Sequence, residues 1–192
     1  MIIGLGYRAK SGKDTVGQML VQRYGFHRVG FADALKDVCS IICFGAVFSH
    51  VRHSDFKEDF TPLGMTGGQL LQTVGVALRE AVPGVWIDAA HLLPKLGTYG
   101  NVVVTDVRFL DEAKAIKDLG GILIEVRRHV PQDTHVSETE GSKIKWDHVI
   151  ENDGSLVDLL HKVQALMASL GPLPSTPGAS PDSPQAPSAP VS

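Results

Sequence analysis

A chain of 192 residues with 43% hydrophobic content and a formal charge of -3 suits one domain that buries a single core, and it argues against a second full domain. With 18 basic residues against 21 acidic ones and no long basic run, charge gives no reason to expect nucleic acid as a partner. No window approaches the roughly 20 apolar residues that cross a bilayer, and the opening MIIGLG lacks the basic flank and cleavage signature of a signal peptide, so the chain reads as cytoplasmic, with no membrane partner.

Residues 1–6 form an apolar run that ends in glycine, as a buried parallel strand would, and 14–24 (DTVGQMLVQRY) follow with helical periodicity. A short strand is expected over 26–30. FADALKDVCSIICF (31–44) reads as a helix capped near Asp33. Its Cys39 and Cys43, followed by His50 and His53, invite a zinc reading, but the spacer is short for a finger and the cysteines alternate with Ile41 and Ile42 as core residues do. Reduced core cysteines are the expectation.

Residues 50–67 read as loop. TGGQLLQTVGVALREAV (66–82) and VWIDAAHLLPKL (85–96) read as helices, the second interrupted by Pro94. Then come a strand ending on a carboxylate (NVVVTD, 101–106), a helix stopped by glycine (DEAKAIKDLG, 111–120), the strands ILIEVRR (122–128) and DHVIEN (147–152), and an amphipathic helix over 155–170. That last helix could serve a homodimer as well as a core. Residues 171–192 are proline-rich and poor in bulky apolar side chains, so they read as a disordered extension to a domain over 1–170.

Strands separated by helices of this length argue for a mostly parallel sheet covered on both faces. In such sheets ligands sit at the C-terminal ends of the strands. The polar and glycine-rich features do cluster there: SGKDT, FADALK, TDVR, RRHVPQDTH and NDG each follow or end a strand.

The first of these lies in GYRAKSGKDT (6–15), which departs twice from the phosphate-loop pattern of Gly, four residues, Gly, Lys and Ser or Thr. Tyr7 stands where the first glycine belongs, so the turn starts from Gly6. Asp14 stands where the hydroxyl belongs, and the hydroxyl arrives one place late as Thr15. A strand that turns through glycine into a helix still presents unpaired backbone N–H groups and the positive end of the helix dipole to a phosphate. Lys13 adds an ammonium. Asp14 would repel an anion if it pointed inward, so it is expected to point away and leave Thr15 facing a metal.

SGKDT (11–15), FADALK (31–36), LLQTVGVALRE with a following tryptophan (70–86), TDVRFLDEA (105–113), DTHVSE (133–138) and NDGSL (152–156) together resemble, in order and spacing, the bacteriophage deoxynucleoside monophosphate kinases, a branch of the P-loop kinases. The resemblance implies a three-layer α/β sandwich with a mostly parallel central sheet, a helical substrate-binding insertion and a short lid. It implies ATP- and Mg2+-dependent phosphoryl transfer to a deoxynucleoside 5'-monophosphate, in the host cytoplasm if the source is a phage.

The site residues follow from that resemblance joined to what each side chain can do. Gly12, Lys13, Asp14 and Thr15 would hold the donor phosphates, with Thr15 on Mg2+ and Asp106 holding the metal through water; the alternative for Asp106 is a cap on the helix that follows. Lys36, Arg79 and Arg108 would hold the acceptor monophosphate, and Gln72 and Asp33 would read a base edge or sugar hydroxyl. Lys13, Arg108 and Arg127 are the expected catalytic cations, Arg127 being preferred to Arg128 as the one that closes inward from a lid, because alternate strand residues face opposite sides. Asn152 and Gly154 would wrap adenine or form an ordinary turn into a helix. His135 and Glu138 match the family element H-x-S-E, or a capping box from Thr134. Two rival readings are a kinase of another small metabolite, similar to dephospho-coenzyme A kinase, and an ATP-binding protein without transfer activity.

Overall fold

The computed structural model describes residues 1–6, 10–47, 49–128 and 140–173. Its centre is a five-stranded sheet of β1 (Ile2–Gly6), β2 (His27–Val29), β3 (Val102–Val104), β4 (Ile122–Arg127) and β5 (His148–Glu151), in the order β2-β3-β1-β4-β5. Every pairing is parallel. β1 lies in the middle and is buried throughout, which is why it reads as an unbroken apolar run and not as an alternation.

Alternate strand residues feed two separate cores. Ile2, Val102, Val104 and Leu123 pack on one face with Phe31, Leu92 and Ile116. Ile3, Leu5, Val103, Ile124 and Val126 pack on the other with Val16, Leu20, Val163 and Met167. The second face is therefore covered by α1 (Lys13–Tyr24) and α7 (Leu156–Ser169), and the first by α5 (Leu92–Tyr99) and α6 (Leu110–Asp118). This is the three-layer P-loop kinase-type sandwich that the resemblance implies. The buried face of α7, with Leu159, Val163 and Met167, is used by this core.

Between β2 and β3 lies the helical insertion: α2 (Ala32–Phe44), α3 (Gly67–Ala81) and α4 (Val85–Ala90). The indole N–H of Trp86 donates to the Gly75 carbonyl at 3.1 Å and ties α4 to α3. Residues 50–67, read as loop, contain two short 3-10 turns, Ser49–Arg52 and Ser54–Lys57. The helical run over 85–96 breaks at His91, which takes the left-handed conformation (φ 49°), and not at Pro94. Pro94 sits in the first turn of α5, where the helix needs no N–H from it.

Cys39 is fully buried, and burial together with neighbouring Cys43 pushes its thiol up to about 11, so it stays protonated. Among the described residues no group of three or more His, Cys, Asp or Glu could hold a metal ion, and none of their helices is long and apolar enough to cross a membrane. The core also runs past the expected boundary at 170, because Leu173 packs against the α1/α7 face. The rest of the expected tail lies outside the described residues, as do Tyr7, His135 and Glu138.

Candidate functional site

The turn from β1 into α1 passes through Gly12 at φ 98°, and a Cβ there would lie 2.3 Å from the amide nitrogen of Asn152. Only glycine satisfies both constraints. Asn152 is buried; its Nδ2 donates to the Ser11 carbonyl at 2.8 Å and its backbone N–H donates to the Arg127 carbonyl at 2.7 Å. The loop is thus held from behind by its own carbonyl. No side chain caps α1, which leaves the N–H groups of its first turn for a ligand. The hydroxyl of Ser11 is buried beside them and has no partner among the described residues.

Lys13 is buried, with its Nζ 3.1 Å from a carboxylate oxygen of Asp14. Asp14 is exposed, as expected, but it reaches back to pair with the lysine. Thr15 is half-buried one residue further along α1. Gly154, expected at adenine, leaves room for the cap of α7: a Cβ there would lie 2.8 Å from the Asp158 carboxylate, which accepts from Ser155. The contact found for Asn152 is with the phosphate loop, a role that NDG as a local motif does not announce.

Asp106 caps a helix, though not the one that follows it. Its two oxygens accept the N–H groups of Phe31 at 2.9 Å and Ala32 at 3.0 Å, at the start of α2. Asp33 is committed to the same turn. It accepts from the Gly30 N–H at 2.8 Å and from Arg28 at 2.8 Å, with Arg52 at 3.7 Å. These contacts give Asp33 a structural part in the turn, beside the contact with a base or sugar expected of it.

Four cations converge near the C-terminal edge of the sheet. Lys57 interacts with Lys13 on α1, Lys36 on α2 and Arg108 after β3; burial lowers its pKa first, Arg108, Lys13 and Lys36 lower it further, and Asp14 opposes them. The side chains of Lys36, Lys57 and Arg108 make no hydrogen bond or ion pair among the described residues. Lys57 is the residue that sequence reasoning missed. The available signal was the pair Gly67-Gly68, because two glycines opening a helix mark a close approach by another segment, and that segment is the turn carrying Lys57.

Arg79 and Arg127 are not brought into this cluster. Arg79 donates to Asp111 and to Glu112, each at 2.7 Å, and its guanidinium lies 3.9 Å from the centre of the Phe109 ring. Glu112 in turn accepts the N–H groups of Arg108 at 2.9 Å and Phe109 at 3.2 Å. Burial and the neighbouring Asp106 push its pKa up to about 7, against the hydrogen bonds and Arg79, which pull it down. Arg127 is held by Glu125 through two nitrogens, at 2.8 and 3.1 Å, and by Glu151 at 3.0 Å. Gln72 is exposed on α3, seven residues and so about two turns before Arg79.

A divalent cation fits here in one way. With no carboxylate cage among the described residues, it would take most of its ligands from phosphate and water, as Mg2+ commonly does. The protein groups that would suit it are the Thr15 hydroxyl and, through a water, the Asp106 carboxylate.

Comparison with known proteins places this geometry in context. A family model described as deoxynucleotide monophosphate kinase matches residues 68–163. A protein of Acanthamoeba polyphaga mimivirus carrying the same family name is 31% identical over 182 residues, which covers 85% of this chain and 94% of the relative. Among solved structures, TT1252 from Thermus thermophilus superposes with a TM-score of 0.51 at 18% identity, covering 90% of this chain and 98% of that one. The dephospho-CoA kinase from Campylobacter jejuni gives 0.49 at 12% identity, with 88% and 95% covered. The likeness to TT1252 is one of fold.

Proposed function

Because the chain belongs to the deoxynucleotide monophosphate kinase family and is by that membership a phosphotransferase, we propose that it moves the γ-phosphoryl of ATP to a deoxynucleoside 5'-monophosphate, releasing ADP and the diphosphate. The observation that carries this reading is the run of cations from the phosphate loop to the helical insertion: Lys13, Lys57, Lys36 and Arg108. Such an arrangement is self-repelling until a polyanion enters it. A donor triphosphate meeting an acceptor monophosphate is an anion of that kind.

Phosphoryl transfer asks for alignment and charge neutralisation more than for covalent help. An oxygen of the acceptor phosphate bonds to the γ-phosphorus as the bond to the bridging β–γ oxygen breaks, and ADP carries that electron pair away. An ionised acceptor phosphate has no proton to lose, so no general base is required. The first-turn N–H groups of α1, the Ser11 hydroxyl and Lys13 suit the donor phosphates. Lys13 would exchange its contact with Asp14 for that phosphate. Lys36 and Arg108 suit the acceptor, and Gln72 on the exposed face of α3 suits a base edge. Thr15, and Asp106 through a water, would hold Mg2+, whose contribution would be to neutralise charge on the transferring group.

The test is a panel of the four deoxynucleoside monophosphates with ATP, read as ADP release. At least one should raise turnover well above the ATPase background, and Lys13→Ala should abolish that increase without lowering the melting temperature. No increase with any of the four would refute the proposal.

A further inference from the structure

Lys57 ends the turn Ser54–Lys57, and that turn is seated on the first turn of α3 with unusual closeness. A Cβ on Gly67 would lie 2.0 Å from the Phe56 carbonyl oxygen and 2.7 Å from its ring, and one on Gly68 would lie 3.1 Å from the Lys57 carbonyl oxygen. Phe56 is buried, and the Gly67 N–H donates to the Asp59 carbonyl at 2.9 Å. The backbone at Lys57 is therefore fixed by a helix whose first two residues lack side chains. A long flexible side chain from a fixed root is restricted in where its ammonium can go.

Its neighbours give that place a meaning. Lys13 belongs to the donor loop, and Lys36 and Arg108 lie on the side suited to the acceptor; Lys57 interacts with all three. Among the described residues, the carboxylate that acts on Lys57 is Asp14, and Asp14 already lies against Lys13. A lysine among three cations, with its own ammonium lacking a hydrogen bond or ion pair among the described residues, is arranged for an anion that spans both sides. Arg127, the lid cation expected from the sequence, has its guanidinium taken by Glu125 and Glu151.

We propose that Lys57 bridges the donor and acceptor phosphates and donates hydrogen bonds to the oxygens of the phosphoryl group as it passes between them. The proposal rests on the phosphoryl-transfer reading given above. No proton moves in this step: the ammonium offsets charge that spreads over the equatorial oxygens while the acceptor oxygen bonds to phosphorus and the bridging oxygen departs.

Two measurements test it separately from that reading. In the first, kcat and KM are compared for wild type, Lys57→Ala and Lys57→Arg on the accepted deoxynucleoside monophosphate. Lys57→Ala should lower kcat by about 100-fold while KM for ATP changes by no more than about threefold, with Lys57→Arg recovering part of the loss. A kcat within about twofold of wild type in folded Lys57→Ala protein overturns the proposal. Lys57→Met, which keeps the apolar stem, takes the place of alanine if melting shows a loss of fold. In the second, inorganic tetrapolyphosphate, which matches a donor triphosphate joined to an acceptor monophosphate, is titrated calorimetrically into each protein, and Lys57→Ala should bind it about tenfold more weakly. If the wild type turns over no deoxynucleoside monophosphate, the reading of the reaction falls and this titration alone decides Lys57, equal affinities removing it from the phosphate site.

Discussion

Glu112 is the side chain on which three parts of the site depend. One carboxylate accepts the N–H groups of Arg108 and Phe109 and binds the Arg79 guanidinium, joining α3 to the segment that carries Asp106 and Arg108. Burial holds this carboxyl near 7 against an ordinary value of 4.5. Between those two values the folded protein keeps a proton that the unfolded chain releases, so stability falls as pH rises through the window, and the cost is fully present above it. Melting temperature should therefore decline between about pH 5 and pH 8 by several degrees on account of this group, and Glu112→Gln should flatten the decline. An unchanged slope in the variant would assign the effect elsewhere. The same side chain gives Arg79 partners that the sequence does not show. In the sequence it is a cation in a family-like motif, and nothing local says that Asp111, Glu112 and the Phe109 ring face it from across the fold. Lys13 and Gly12 were legible because a phosphate loop is written in consecutive residues. Lys57 was not, because its importance comes from a contact between segments.

At the scale of elements, that contact is the seat of the Ser54–Lys57 turn on α3. Gly67→Ala places a methyl group 2.0 Å from a backbone oxygen, which cannot swing aside as a side-chain tip can. It should cost about 2–3 kcal/mol, or roughly 5–10 °C in melting temperature for a domain of this size. Gly68→Ala, at 3.1 Å from the corresponding oxygen, should cost much less. Thermal melts of the two variants check the ranking, and equal losses would refute the packing argument. Most elements were readable from hydrophobic period and glycine stops: α3 was expected over 66–82 and occupies Gly67–Ala81, and β4 was expected over 122–128 and occupies Ile122–Arg127. The break between α4 and α5 was placed at the proline because proline is the stronger written signal. The left-handed turn at His91 does the work instead, and histidine does not advertise it.

For the whole molecule, the parallel sheet with helices on both faces followed from the alternation of elements, while the strand order β2-β3-β1-β4-β5 did not, since strand neighbours are chosen by packing across the chain. Leu173 is hard to read for a similar reason: a lone leucine in a proline-rich stretch looks like tail, yet it packs on the α1/α7 face. Ending the chain after Leu173 should leave melting temperature and turnover unchanged. Ending it after Leu170 should lower stability by about 1 kcal/mol, or roughly 2–4 °C. Equal melting of the two truncated proteins would show that Leu173 contributes nothing.

The strand order also sets a schedule for synthesis. Ile2 pairs with Val102 and Ile3 with Ile122, so the central strand is made before either partner and waits for about 100 further residues to be added. At usual elongation rates that delay is on the order of 10 s, during which an apolar strand waits unpaired while the helical insertion emerges. Every sheet contact closes a long loop, which predisposes the chain to fold slowly once complete. The glycine turn that ends this strand cannot be anchored by Asn152 until β5 has been synthesised, so the phosphate loop is made before the strands that flank it and is held in place only after them.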